Sequence, residues 1–219
     1  AFSQQAAYYG VLFLFYLVNY FVVIFFNSAV VACAVIRMQG ANPTFGDGLR
    51  AAGARLGPIF GWAVVSATVS LILRIIEDRS ETAGRIVASL LGMAWSVVSF
   101  LAIPVMVVER KGPVEALKRS TSLLKETWGE QLIGNFSFGL IFMLLGIPGF
   151  LVIGAGFVLG SKIAMILCIT AGVAYFVLLG LVQSVLQAIF RAALYLYALN
   201  GEEPAEFAGG QLHGAMRSR

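Results

Sequence analysis

The sequence predicts an all-α fold: a polytopic transmembrane helix bundle with amphipathic interfacial helices on its cytoplasmic side. Three observations predict it. Residues 1–36 carry no charged side chain. Residues 57–73, 86–108 and 132–190 are nearly as bare, with Lys162 alone interrupting the last. Mean hydropathy is +0.89 and 12% of the 219 residues are charged, against about a quarter in soluble domains. A hydrocarbon core about 30 Å thick takes roughly 20 apolar residues per helix, so each bare stretch is long enough to cross.

The first span is expected over residues 7–36, about 45 Å of helix, so it must tilt or project past the bilayer. Tyr8, Tyr9, Tyr16 and Tyr20 in it are interfacial in type. The second covers 58–76, with Arg74 and Glu77-Asp78-Arg79 at its exit. The third covers 86–108 and carries Pro104, which a membrane helix tolerates when neighbours satisfy the freed carbonyl. The fourth, 132–160, is broken by Gly146-Ile147-Pro148-Gly149. A kinked or tilted span is favoured there over a short span followed by a re-entrant segment. The fifth covers 163–190 and continues as helix through Arg191 to Leu199. Residues 1–200 form a single transmembrane domain, and 201–219 a polar, glycine-rich tail.

Lysine and arginine orient these spans. The loop after the first span, the loop after the third and the tail hold eleven, namely Arg37, Arg50, Arg55, Arg110, Lys111, Lys118, Arg119, Lys125, Arg191, Arg217 and Arg219. The other side holds four, Arg74, Arg79, Arg85 and Lys162. The richer side is expected to be cytoplasmic and the membrane the bacterial inner membrane, with the C-terminus inside. The uncharged start, without Met, then lies outside, as it would if a sixth, upstream span preceded it.

The two cytoplasmic loops are built alike. Thr44 and Asp47 form a capping-box pattern before the stripe Phe45, Leu49, Ala52 and Leu56, which predicts an interfacial helix over 44–56. Gly112-Pro113 precedes the stripe Val114, Leu117, Thr121, Leu124 and Trp128, which predicts another over 113–128. Gly201-Glu202-Glu203-Pro204 with Phe207 and Leu212 begins the pattern a third time, a weak parallel repeat of helical hairpins. Arg50, Arg55, Lys118, Arg119 and Lys125 are the candidate contacts to anionic lipid, set against a plain reading in which these charges are only solvated.

The stretches Phe26-Asn27-Ser28 to Gly48-Leu49 and Pro104-Val105 to Gly129, and the ending Ala193-Leu194-Tyr195, resemble an uncharacterised bacterial and archaeal membrane-protein family, a domain of unknown function. The second stretch includes Glu109-Arg110 and Glu115-Ala116-Leu117-Lys118-Arg119-Ser120. The resemblance covers essentially the whole chain, implies a further N-terminal span, and implies no activity. The Glu115 to Ser120 stretch is also distantly similar to the membrane domain beside some glycerophosphodiester phosphodiesterases.

Much chemistry lacks its residues. The single histidine, His213, lies in the tail, which leaves nothing for a Ser–His triad or a His-ligated metal. No Asp or Glu falls inside a span, so a carboxylate proton relay has no members. The basic residues sit between spans and not on a soluble module, which argues against nucleic acid. Cys33 and Cys168 fall in opposite leaflets and read as small packing residues. No cofactor, metal or catalytic group is expected.

What remains is a polar stripe. Gln183, Gln187 and Arg191 share one face of the fifth span, with Ser184 adjacent and Asn27-Ser28 in the cytoplasmic half of the first. Such residues either line a solute pathway or glue helices together, and Asn135 and Ser137 are further partners. Gly53, Gly57 and Gly61, Gly92 with Ser96, and Gly156 with Gly160 offer close-packing faces. The leading expectation is a non-enzymatic accessory or scaffold subunit, or a homo-oligomer, with membrane lipids and other membrane subunits or itself as partners. The alternatives are a channel or uncoupled transporter using the stripe, and a lipid-handling membrane enzyme.

Overall fold

A computed structural model describes residues 2–79, 83–125, 128–159 and 161–200. They form eight helices: α1 (Phe2–Met38), α2 (Phe45–Gly53), α3 (Leu56–Arg79), α4 (Ala83–Val98), α5 (Ala102–Val108), α6 (Pro113–Leu124), α7 (Trp128–Val158) and α8 (Lys162–Asn200). The described residues contain no strand, and five helical segments are long and apolar enough to cross a membrane: Gln4–Met38, Leu56–Asp78, Ala83–Val108, Gly139–Val158 and Lys162–Leu199. The chain is an all-α membrane protein. Contacts group the chain into two compact units. One holds α1–α6 with α8 from Arg191 onward, the other α7 with α8 up to Phe190. The tail, with His213, Arg217, Arg219, Phe207 and Leu212, lies outside the described residues, as do the side chains of Trp128, Asn135 and Ser137.

In the first unit α1 packs on α2, α3 and α5, α3 on α4 and α6, and α5 on α6. The face that α1 buries is Ile24, Ser28, Val31, Ala32 and Val35, the four-three-four spacing of one helix face. Val31, Ile59, Leu101, Val105, Met106, Leu123 and Tyr195 fill the centre. Tyr20 and Ser70 share a 2.6 Å hydrogen bond between α1 and α3, and Trp62 stacks on Trp95 between α3 and α4.

The expected third span is two helices. Between α4 and α5, at residues 99–101, the ladder tightens: the Phe100 amide bonds Val97 and the Ala102 amide bonds Ser99. The Val98 carbonyl and the Leu101 amide thereby lose their helical partners. Ser120 of α6 takes both, its Oγ donating to Val98 O at 2.7 Å and accepting from Leu101 N at 3.1 Å. Pro104 consequently sits in the first turn of α5, where a missing N–H costs no helical bond. The fourth apolar stretch, by contrast, runs as one continuous helix, α7, with Pro148 inside it and no separate re-entrant piece.

The expected capping box is formed. Thr44 Oγ1 accepts the Asp47 amide at 3.2 Å, and Asp47 Oδ2 accepts the Thr44 amide at 2.9 Å. The packing faces of the short helices differ from the expected stripes. α2 buries Gly48 and Ala52 and leaves Phe45 exposed, because only glycine lets it approach α1, and Leu56 at the start of α3 is exposed as well. A Cβ on Gly48 would lie 2.6 Å from Cys33 Sγ and 2.9 Å from Ala29 O. α6 buries Ala116, Ser120, Leu123 and Leu124, a face turned by one position, since Ser120 must reach the break in the third span. Of the glycine row, Gly61 lies against Pro113, whereas Gly53 and Gly57 have open space around them.

The second unit is a helical hairpin. Gly149 faces Phe176 and Tyr175, and Gly156 faces Cys168. Cβ atoms there would come within 2.8 Å. The Tyr175 hydroxyl donates to Leu145 O at 2.6 Å, and Phe150 lies against Phe176. Both cysteines are free.

Candidate functional site: a carboxylate hub at the loop end

The α5–α6 connection is short and heavily charged. Val108 ends α5, Glu109 is its C-cap, Arg110 adopts a left-handed φ of +59°, and Gly112 is the N-cap of α6 with Pro113 behind it. A glycine is the common occupant of the left-handed place after a helix cap, and any other residue there costs about 1–2 kcal/mol. The turn leaves the Glu109 side chain 17% exposed.

Glu109 gathers three donors. Arg119 Nε lies 3.1 Å from Oε1, the Tyr195 hydroxyl donates to the same oxygen at 3.1 Å, and Lys111 Nζ lies 2.5 Å from Oε2. Burial pushes the Glu109 carboxyl up, but the bonds from Lys111, Arg119 and Tyr195 together outweigh it and hold the group below the ordinary glutamate range. A carboxylate so saturated is a poor proton acceptor. What it does well is tie the end of α5, the middle of α6 and the last turns of α8 to one point. One helical turn before Tyr195, Arg191 lays its guanidinium over the Phe100 ring at 5.0 Å, beside the break in the third span. Arg191 Nε and Ser28 Oγ are buried without a hydrogen-bond partner.

The expected polar stripe is divided between the units. Gln183 and Gln187 are half-buried and Ser184 is exposed, all on the hairpin, while Arg191 belongs to the first unit. Asn27 is half-buried and bonded, and Ser28 fully buried. Among the candidate lipid contacts, Lys118 and Lys125 are exposed, Arg55 is half-buried, and Arg50 is exposed with Asp47 at 3.6 Å. Arg119 is instead committed to Glu109. Sequence reasoning did not assign Glu109, Lys111, Ser120 or Tyr195 to a site. The available signal was a lone carboxylate ending an apolar span beside a Gly-Pro turn. Among the described residues no three His, Cys, Asp or Glu side chains cluster as a metal site would require. In the hairpin, an open groove of about 420 Å³ is walled by apolar side chains including Phe142, Leu145, Leu179 and Val182.

The model of a family of unknown function, DUF6159, matches residues 6–205. The chain belongs to that family. Neither the curated proteins nor the solved structures contain a match. The similarity of the Glu115 to Ser120 stretch to a phosphodiesterase membrane domain is therefore without support. Glu109, Lys111, Ser120 and Tyr195 all lie within the region matched by the DUF6159 model.

Proposed function

We propose that this DUF6159 member is a multi-pass protein of the bacterial inner membrane that works by association, without a chemical reaction of its own. It serves as an accessory or scaffold subunit, or as a homo-oligomer, with the hub end and the C-terminus facing the cytoplasm. One observation carries the reading. The Glu109 carboxylate is engaged by Lys111, Arg119 and Tyr195, so the strongest polar chemistry at this end is spent on joining helices. A group assembled for catalysis would instead face a cavity with a perturbed readiness to exchange protons. The excess of Lys and Arg on the loops at this end supports the orientation.

Native mass spectrometry of gently solubilised membranes tests it. The expected result is a fixed stoichiometry of the chain with itself or with another membrane subunit. A monomer that passes solutes when reconstituted into liposomes would overturn the reading in favour of a pathway along Gln183, Gln187 and Arg191.

A further inference from the structure

Arg110 stands one residue beyond the α5 cap in left-handed backbone, a place where glycine fits without strain. Strain held at an exposed position invites a reason outside the fold. Its neighbours Glu109 and Lys111 are bound to each other, whereas Arg110 is exposed. Further cations stand on α2, on α6 and in their adjoining turns. Lys118 and Lys125 are exposed on α6, the Arg50 side chain is 84% exposed on α2, and Arg55 lies half-buried between α2 and α3. The first turns of α3 bring these elements to one end: Leu56 follows α2 almost at once, and Gly61 abuts Pro113 at the start of α6. Among the described residues the carboxylates set against them are Glu115, which is exposed, Asp47, which caps α2 and shares Arg50, and Glu109, which is held by Lys111 and Arg119. Two large apolar side chains are exposed in the first turns of α2 and α6, Phe45 at 79% and Val114 at 62%.

We propose that Arg110, Lys118, Lys125, Arg50 and Arg55 form a binding surface for the anionic phospholipid headgroups of the adjoining leaflet, with Phe45 and Val114 seated at the acyl boundary. The charge balance selects the partner, and the place selects its source. Arg55 stands just before one span-length segment and Arg110 just after another, where a chain leaves the hydrocarbon, and exposed apolar side chains on the same short helices suit a lipid boundary and not free solute. Arg119 and Lys111 are excluded because Glu109 already holds them. The proposal holds whether or not the chain is a scaffold.

The test uses the full chain in neutral detergent, titrated with phosphatidylglycerol or with phosphatidylcholine, and read by native mass spectrometry of retained lipid. Phosphatidylglycerol should bind more tightly, and the difference should shrink as salt rises. Each surface cation is worth about fivefold in affinity. Arg110→Gly should therefore bind phosphatidylglycerol about fivefold more weakly while its unfolding midpoint stays level or rises, since the left-handed strain is removed. A purely structural role would lower the midpoint and leave the lipid preference alone. The Lys118→Gln, Lys125→Gln double variant keeps the backbone untouched and should lose about 25-fold. Arg85→Gln, at the other end of α4, should change nothing. Equal binding of the two lipids, wild-type affinity in both test variants, or full displacement of phosphatidylglycerol by inorganic phosphate would overturn the proposal.

Discussion

The Tyr195 hydroxyl donates to Glu109 Oε1 at 3.1 Å and so joins residues 86 positions apart in the chain. Tyr195 is fully buried, and its partner already serves Arg119 and Lys111. Removing the hydroxyl alone, in Tyr195→Phe, keeps the packing of the ring and deletes one bond to a charged acceptor. The expected loss is about 1.5–3 kcal/mol, measured by reversible unfolding in mixed micelles. Wild-type stability in that variant would mean the bond contributes nothing.

The hub also predicts a pH dependence. The Glu109 carboxyl is held below its ordinary value in the folded chain, despite burial, by Lys111, Arg119 and Tyr195. A depressed carboxyl contributes stability that is fully present above the unfolded value of about 4.3 and is lost as pH falls through the folded one. Unfolding midpoints should accordingly fall from about pH 4.3 downward, with little change above it attributable to this group. In Glu109→Gln that portion of the acid limb should flatten. An unchanged acid limb would assign it to other carboxylates.

Ser120 replaces a side-chain hydroxyl for two lost helical bonds at the break in the third span. Ser120→Ala leaves the Val98 carbonyl and the Leu101 amide unsatisfied in a buried place. The expected cost is about 1–3 kcal/mol, with faster hydrogen exchange at the Leu101 amide. Protection at Leu101 equal to wild type would show that the break holds itself.

Glycines separate by what surrounds them. In Gly48→Ala the new methyl meets the Ala29 carbonyl at 2.9 Å, a backbone atom that cannot swing away, and Cys33 Sγ at 2.6 Å. A loss of about 1–3 kcal/mol is expected. Gly53 ends α2 with nothing within 4 Å, so Gly53→Ala should be neutral or gain up to about 1 kcal/mol. Thermal midpoints of the two variants moving together would contradict this assignment of the α1–α2 contact.

What the sequence disclosed follows from the range of the signals. Charge-free runs and the Thr44–Asp47 box are local, so the five membrane segments and the start of α2 were legible, although the ends of the fourth and fifth segments were not: Gly139–Val158 starts later than expected and Lys162–Leu199 runs further. The break at residues 99–101 was not legible. Its cause is Ser120, about twenty residues on, and Pro104 alone does not say whether a helix kinks or restarts. The packed face of α6, Ala116, Ser120, Leu123 and Leu124, was not legible because counting apolar residues passes over a buried serine. Glu109 and Tyr195 were each visible in the sequence, yet nothing short of the fold says that they meet. The glycine row misled for a related reason: spacing alone cannot tell Gly61, under Pro113, from Gly53, in open space.

Cysteine accessibility in intact cells tests whether the chain crosses a membrane repeatedly with α2 and the hub on one side. With Cys33 and Cys168 replaced by alanine, single cysteines at Ala41, Gly112 and Ala83 would be challenged with an impermeant thiol reagent. Ala41 lies between α1 and α2, Gly112 caps α6, and Ala83 opens α4. Ala83→Cys should be labelled in intact cells, and Ala41→Cys and Gly112→Cys only after permeabilisation. Labelling of Gly112→Cys in intact cells would reverse the orientation. Labelling of Ala41→Cys and Gly112→Cys from opposite sides would contradict the arrangement of spans itself.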